Sequence, residues 1–369
     1  MARAARPKVL VLTPDFPPSF GGIQRLIHGL VHHWKHVQPF VVTLGTGVSK
    51  EFDTAQPFAV RRVPDRRVGG HRSAVALLNL ASLWHAFRFR PDVVLSGHVV
   101  TGLAAWVSKW LLGVPYVQYL HGREVAMRPR LSAFAIRHAF AVVAVSRHTA
   151  DMAYAYGAAP EQVYRVPPGV DLPPEVKTLS STRPTIVTVA RLAQRYKGHD
   201  VLIRALPLVC SRVPGVRLMI VGDGPLRPAY EALARTLDIE ERTQFLGALD
   251  DDARDRVLDE AQVFAMPSRL PPDGGGEGFG IAYLEASARG LPVVAGNVAG
   301  ALDAVADGET GLLVDPCDHV AVADALSELL ADPEKARVLG RAGRERAKQF
   351  AWSRVARHAE VIVIEAARS

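Results

Sequence analysis

Two glutamates, Glu277 and Glu285, bracket the run Gly278-Phe279-Gly280-Ile281, which follows Asp273-Gly274-Gly275-Gly276 and precedes a helix expected to start near Ala282. Glycines at a helix start expose N–H groups where the helix carries partial positive charge, and that arrangement suits a phosphate. Glu277 falls in the loop before the helix and Glu285 one turn into it, so both carboxylates can face one cavity. One could accept hydrogen bonds from sugar hydroxyls, while the other grips ribose hydroxyls as acidic residues do in nucleotide folds. The spacing alone also fits a glycine-rich turn with two surface glutamates.

Cations stand upstream. Arg191 and Lys197 follow an apolar run in Ala190-Arg191-Leu192-Ala193-Gln194-Arg195-Tyr196-Lys197-Gly198-His199-Asp200, with Arg195 as a competing candidate. A guanidinium fork and an ammonium in one strand-to-helix loop can share the charge of a diphosphate. Such a leaving group needs that help, because negative charge develops on it as its bond to the sugar breaks. Near the N-terminus, Gly21-Gly22 stand between a strand and a helix, where backbone can approach a phosphate. The pair equally fits a turn that needs glycine, and the dinucleotide fingerprint G-x-G-x-x-G is absent. Its absence argues against a hydride-transferring dehydrogenase.

The elements that must carry these residues read as strands alternating with helices, which implies parallel sheets covered on both faces. In the first half the strand runs are Lys8–Thr13, Phe40–Leu44, Val93–Leu95, Tyr116–Tyr119 and Val142–Val145, with a first helix over Ile23–Trp34. A proline-rich passage from Val166 to Pro184 reads as a linker. The pattern then restarts with strands at Thr185–Val189, Arg217–Val221, Thr243–Leu246, Val263–Met266, Leu291–Ala295 and Gly311–Val314, and a helix over Asp200–Val209. Two α/β domains in series follow: residues 1–172, residues 183–351, and a terminal helix over 352–369 that packs back on the first domain. Both domains are expected to be Rossmann-like and doubly wound.

Length supports that division, since 369 residues exceed one ordinary domain. Nearly half the residues are apolar, at 49%, so two sizeable cores can be buried. Residues 1–180 carry 21 Lys and Arg against 10 Asp and Glu, whereas the remainder carries 23 against 27. A basic first half fits an anionic partner such as phosphate, an acidic acceptor or a membrane surface, and equally fits a solvated basic face. Nucleic acid is not expected, because no recognition motif and few interleaved aromatics accompany the charge. Cys210 and Cys317 form no framework or metal cluster, which fits a reducing cytoplasm. Arg3, Arg6 and Lys8 precede only a short apolar run that Pro14 and Asp15 end, too short for a signal peptide. Val99–Leu112 is the nearest approach to a membrane span, but it is short, contains Lys109, and reads as a buried helix.

Several stretches together resemble the family 4 glycosyltransferases, over nearly the whole chain. They are Thr13-Pro14-Asp15-Phe16-Pro17-Pro18 with Gly21-Gly22, His121-Gly122-Arg123-Glu124, Pro168-Gly169-Val170-Asp171 and Arg191 with Lys197-Gly198-His199-Asp200. Val221-Gly222-Asp223-Gly224, Phe245-Leu246-Gly247, Glu277 through Glu285, and Gly308-Glu309-Thr310-Gly311-Leu312-Leu313-Val314 complete the set. Within that family, Met266-Pro267-Ser268 before a long glycine-rich loop is similar to actinobacterial phosphatidylinositol-mannoside mannosyltransferases.

The resemblance implies a GT-B fold, two Rossmann-like domains facing each other across a cleft, with the first binding the acceptor and the second the nucleotide sugar. It implies retaining, metal-independent transfer of a hexosyl group from GDP-mannose or a UDP-hexose to a hydroxyl on a lipid-linked acceptor or a natural product. By position it gives Gly21 and Gly22 to the donor phosphates and reacting sugar, with Arg191 and Lys197 on the diphosphate. Glu277 would contact the sugar hydroxyls and Glu285 the ribose, with Gly222, Gly278, Phe279 and Gly280 completing the donor site. His121 would reach the sugar, and Asp15 and Arg123 would lie on the acceptor side. His121, Arg191, Lys197 and Glu277 would thus carry catalysis. No cofactor or metal is expected beyond the nucleotide sugar as co-substrate. Gly300-Ala301-Leu302-Asp303 departs from the family's Gly-Gly-x-Pro-Glu.

His28, His32, His33 and His36 fall at helical spacing, and solvent-facing histidines are expected rather than a metal site. Arg66 to Arg90 is basic at both ends with an apolar middle. It reads either as a core helix or as a segment lying on a membrane, which would put the enzyme at the inner face of the membrane. A catalytically silent nucleotide-sugar-binding module is the alternative to the enzyme.

Overall fold

Runs rich in valine, leucine and isoleucine become parallel strands because helices cover both faces, so they read as continuous apolar stretches rather than alternating ones. A computed structural model of the protein describes residues 6–45, 49–64, 71–174 and 183–369, with His71 and Arg72 described in backbone only. Arg3, Arg66, Arg67 and linker residues 175–182 lie outside the described residues.

The chain divides into two compact units. Unit 1 comprises residues up to Gly169 together with Trp352–Ser369, and unit 2 comprises Val170–Ala351. The first crossing falls after Gly169, three residues before the boundary expected from sequence.

Unit 1 runs β1 (Lys8–Leu12), α1 (Gly22–His33), β2 (Gln38–Leu44), α2 (Ser49–Thr54), β3 (Ala59–Val63), α3 (His71–Phe89) and β4 (Val93–Ser96). It continues through α4 (Gly102–Leu112), β5 (Tyr116–Leu120), α5 (Arg123–Met127), α6 (Pro129–His138), β6 (Ala141–Ala144), α7 (Arg147–Ala155) and β7 (Val163–Arg165). Its seven-stranded sheet has the order β3-β2-β1-β4-β5-β6-β7. All pairs are parallel.

Unit 2 runs β8 (Thr185–Val189), α8 (His199–Arg212), β9 (Arg217–Val221), α9 (Arg227–Thr236), β10 (Thr243–Gly247), α10 (Asp251–Glu260) and β11 (Val263–Met266). Then come α11 (Ile281–Ala288), β12 (Val293–Gly296), α12 (Ala301–Ala304), β13 (Gly311–Val314), α13 (His319–Ala331) and α14 (Pro333–Ala347). Its six strands are ordered β10-β9-β8-β11-β12-β13, again all parallel.

The last helix, α15 (Trp352–Ala366), belongs to unit 1. Trp352 packs against Gly29 and Gly169, where an added Cβ would sit 2.3 Å and 2.2 Å from its ring. Glu360 accepts the backbone N–H of Lys35 at 2.7 Å. Burial of Val355, Ile362 and Val363 completes the contact.

In each sheet successive strands first run outward in one direction and then restart on the other side of the first strand. Ligands of doubly wound folds bind at that reversal, outside the carboxyl ends of the strands. The reversal lies between β1 and β4 in unit 1 and between β8 and β11 in unit 2. Asp15, Gly21 and Gly22 follow β1, Arg191 and Lys197 follow β8, and Glu277 follows β11, whereas His121 and Arg123 follow β5 and Gly222 follows β9.

Two sequence expectations are corrected. Residues 99–112 are not a buried helix. Ala104, Ala105 and Ser108 are buried, but Leu103, Trp110, Leu111 and Leu112 are exposed. Nor are the four histidines uniformly solvent-facing. His28 is half-buried, lies edge-on to Phe16 and bonds Gln56 at 2.8 Å, while His33 stacks on Trp352. The inner turns of α1 and the residues around them enclose those two rings.

Candidate active site

The loop after β8 carries Arg191 and Lys197, and two sets of bonds fix it. Ala190 N–H donates to Val221 O at 3.0 Å, and Leu192 N–H donates to Asp223 O at 2.9 Å, stitching it to the loop after β9. Gly222 lies at that seam with φ +133°, and a Cβ there would fall 2.1 Å from Ala190 O. Only glycine permits this approach. On its other side, Arg269 N–H donates to Tyr196 O at 2.8 Å, and the Arg269 guanidinium donates to both carboxylate oxygens of Asp200. Sequence reasoning missed Arg269, because its partner lies 69 residues away and no local pattern announces the pair.

The loop after β11 ends at Gly280, the residue before α11, with φ +91°. Tyr283, buried in the first turn, donates its hydroxyl to Met266 O at 2.7 Å and so pins α11 to the end of β11. The backbone N–H groups of Gly278, Phe279 and Gly280 donate to no acceptor among the described residues. Phe279 itself is buried against Phe350. Three unpaired amides ahead of a helix form an anion cradle.

Lys197 and Glu277 meet. The ammonium donates to the carboxylate, and the two side chains are 16% and 12% exposed. Burial opposes the ammonium charge, but Glu277 outweighs it and the Lys197 pKa is raised. Arg191 is exposed and makes no ion pair among the described residues. Glu285 sits one turn into α11, with Arg254 of α10 at 3.9 Å. The loops and the helix N-terminus thus carry two cations, unpaired amides and two carboxylates at the reversal of the unit 2 sheet.

His199, in the first turn of α8, is 1% exposed and stacks on Tyr230 with ring centroids 5.4 Å apart. Burial, then the Lys197 charge, push its pKa down to about 4, so the ring is neutral.

In unit 1, Asp15 follows β1. Thr13 Oγ1 accepts the Asp15 N–H at 3.1 Å, and the Gln24 amide donates to Asp15 Oδ1 at 3.0 Å. Gly21 precedes α1 and Gly22 opens it. The Arg62 guanidinium holds this loop from below by donating to Pro17 O, to Leu44 O at 3.1 Å and to Asp53. Arg62 was another omission from sequence, since it lies on the edge strand β3.

His121 follows β5. Its Nε2 lies 2.7 Å from Gly97 O, after β4. A carbonyl only accepts, so Nε2 carries the proton, and in the neutral ring Nδ1 is the acceptor. Tyr119 stacks on the ring, and Glu124 accepts the His121 N–H at 2.6 Å. Gly97 N–H in turn donates to Leu12 O at 2.8 Å. The ends of β1, β4 and β5 are thereby joined through one buried histidine. Arg123 opens the short helix α5 and is half-buried.

Comparison with known proteins fits this geometry. Residues 20–173 match the model of "Glycosyltransferase Family 4", and residues 173–346 match "Glycosyl transferases group 1". The GDP-mannose-dependent alpha-(1-6)-phosphatidylinositol monomannoside mannosyltransferase of Mycolicibacterium smegmatis is 33% identical, over 96% of this chain and 98% of that one. The chain belongs to glycosyltransferase family 4.

A family 4 glycosyltransferase is also what its other relatives indicate. The D-inositol 3-phosphate glycosyltransferase of Corynebacterium aurimucosum is 31% identical, over 74% of this chain and 72% of that one. Among solved structures, Anabaena HepE in complex with UDP and glucose superposes with a TM-score of 0.81 at 21% identity, over 96% of this chain and 99% of that chain. That likeness shows the fold, and the class is GT-B. Among the described residues no helix is long and apolar enough to cross a membrane.

Proposed function

We propose that this family 4 enzyme transfers a mannosyl group from GDP-mannose, with retention of anomeric configuration, to a hydroxyl of a phosphatidylinositol-type glycolipid at the inner face of the membrane. The observation that carries the reading is the Lys197–Glu277 pair beside the free amides of Gly278, Phe279 and Gly280. Those amides with Arg191 and Lys197 suit a diphosphate, and Glu277 suits the hydroxyls of the sugar attached to it. Glu285 suits the ribose, and Gly222 lets the backbone close on the nucleotide. The names of the curated relatives support mannose over the UDP-linked hexoses.

Catalysis then rests on leaving-group stabilisation and positioning. Arg191 and Lys197 neutralise the departing diphosphate in place of a metal. Asp15, Arg123, Gly21 and Gly22 serve the acceptor and the reacting sugar, and His121 supplies an acceptor nitrogen there. No carboxylate is assigned as a nucleophile. The departing phosphate takes the acceptor's proton on the same face of the sugar.

The glycolipid is supported by α3 and α4. Helix α3 is apolar all round: Ala74, Leu78 and Ala86 are buried, while Leu80, Trp84 and Phe87 are 58–66% exposed. Trp110 and Leu111 of the neighbouring helix α4 are exposed as well, and exposed large apolar residues on packed helices suit a lipid surface. Arg88 lies over the Trp84 ring, and Lys109 belongs to α4. Between residues 71 and 112 the only acidic residue is Asp92. An apolar face with basic neighbours fits an anionic lipid surface.

The test offers GDP-mannose, GDP-glucose, UDP-glucose and UDP-galactose to the enzyme with phosphatidylinositol monomannoside in anionic vesicles, with and without EDTA. The product anomer is read by NMR. Alpha-linked product from GDP-mannose that survives EDTA is expected. Inverted product, or turnover abolished by EDTA, contradicts the mechanism. Turnover only with a UDP-sugar contradicts the donor.

A further inference from the structure

We infer that Gly300 is a positioning residue for the phosphate cradle, setting the direction of the Gly278 amide and supporting the peptide after it. The inference rests on the reading of residues 278–280 as that cradle. Gly300 stands in the loop after β12, immediately before α12. Its N–H donates to Glu277 O at 3.0 Å. That carbonyl and the Gly278 N–H belong to one peptide unit, and in a trans peptide the two point in opposite directions. Holding Glu277 O therefore turns the Gly278 N–H away from Gly300, to where an anion can reach it.

The next peptide rests on the same residue. A Cβ added to Gly300 would sit 2.2 Å from Gly278 O, 2.4 Å from Gly278 C and 2.5 Å from Phe279 Cα. Three atoms of one peptide at nearly equal distance mean that it lies flat across Gly300. Only a residue without a side chain admits backbone so closely.

The support is itself fixed. Val298 N–H donates to Gly296 O at 2.8 Å, tying the turn to β12. Arg346 of α14 donates to Asp303 O at 2.9 Å, and Ala301 and Ala304 of α12 are buried. Ala299 has φ +50°, a left-handed conformation that residues with a Cβ seldom adopt and that only firm surroundings maintain. Glu277 is thus held twice, by its carboxylate at Lys197 and by its carbonyl at Gly300.

Calorimetry separates positioning from packing. The ligands are the nucleoside diphosphate that the wild type binds tighter, GDP or UDP, and its parent nucleoside, measured by displacement. Gly300→Ala should weaken the diphosphate about tenfold, the usual weight of one charge-assisted hydrogen bond, and the nucleoside less than about twofold. Gly340→Ala is the control, because a Cβ there would sit 1.9 Å from Gly290 O, away from the cradle. It should lower Tm and leave the ratio between the two ligands unchanged. Amide NMR of the wild type decides the matter even if Gly300→Ala does not fold: the Gly278 amide should shift with the diphosphate and not with the nucleoside. Equal weakening of both ligands by Gly300→Ala, or of neither, overturns the inference, as does a Gly278 amide that stays still while that of Gly280 moves. If no amide of residues 278–280 moves and Lys197→Met binds the diphosphate like wild type, the cradle itself falls, and Gly300 with it.

Discussion

Lys197 and Glu277, 80 residues apart in sequence, form an ion pair between the loop after β8 and the loop before α11. Two groups read as holding different parts of one substrate are thus each other's partner. On the proposed reading, a diphosphate entering between Lys197 and the loop amides would compete with Glu277 for the ammonium and release the carboxylate toward the sugar.

The pair predicts divergent phenotypes. Lys197→Met should lower kcat/KM by about 10²–10³, the usual cost of losing one preorganised charge at a developing anion, and should weaken nucleoside diphosphate binding. Glu277→Gln should reduce turnover comparably yet bind the nucleoside diphosphate at least as tightly as wild type, since its competitor for Lys197 is gone. Steady-state kinetics alongside calorimetry check the split. Equal loss of affinity in both variants would count against it.

Stability should fall on acidification through His199. Its folded pKa, about 4, lies below the ordinary value of 6.5. The unfolded chain therefore binds more protons as pH drops through 6.5, so stability is full above that pH and is lost progressively down to about 4. The loss approaches roughly 3 kcal/mol as an upper bound. Thermal melts of wild type and His199→Gln between pH 7 and 4 test this by slope. The variant's curve should be flatter, whatever its absolute Tm, and parallel curves would refute the assignment.

Gly198→Ala should damage the donor site. Gly198 has φ +79°, and a Cβ there would sit 2.1 Å from Pro267 O, a backbone atom with little room to yield. A cost of about 1–3 kcal/mol is expected from such strain. The Lys197 loop should also lift from Pro267, seen as a raised donor KM together with a lowered Tm. An unchanged KM would separate loop packing from binding.

Trp84→Ser with Phe87→Ser should reduce sedimentation with anionic vesicles several-fold, as removal of two exposed aromatic anchors implies. Turnover on a water-soluble acyl-free acceptor should be unchanged. Undiminished vesicle binding would remove α3 from the lipid surface.

Interior strands were legible because they are apolar on both faces, as β4, β5, β6, β8, β11 and β12 are. The edge strands of unit 1 were not. β3 alternates exposed and covered residues and contains Arg61 and Arg62, while β7 has three residues and none is buried. Edges lack the second covering layer that makes an apolar run necessary. The outer face of α4 was misread for a related reason. An apolar helix looks the same in sequence whether its own chain covers it or something else does. Candidate positions in the loops were legible through glycine and charge. The residues that fix them were not: Arg62, Gln24 and Arg269 have ordinary local contexts, and their partnerships exist only in three dimensions.

The return of α15 to unit 1 has a consequence for biosynthesis. Unit 2 is one uninterrupted stretch, Val170–Ala351, whereas unit 1 is completed only by Trp352 and the helix behind it. A ribosome has therefore synthesised all of unit 2 before the indole that fills the space against Gly29 and Gly169 is even made. The amino-terminal sheet must wait unfinished while its neighbour in the chain emerges. A stop codon at position 352 leaves the whole of unit 2 encoded but unit 1 permanently short of its last buried helix.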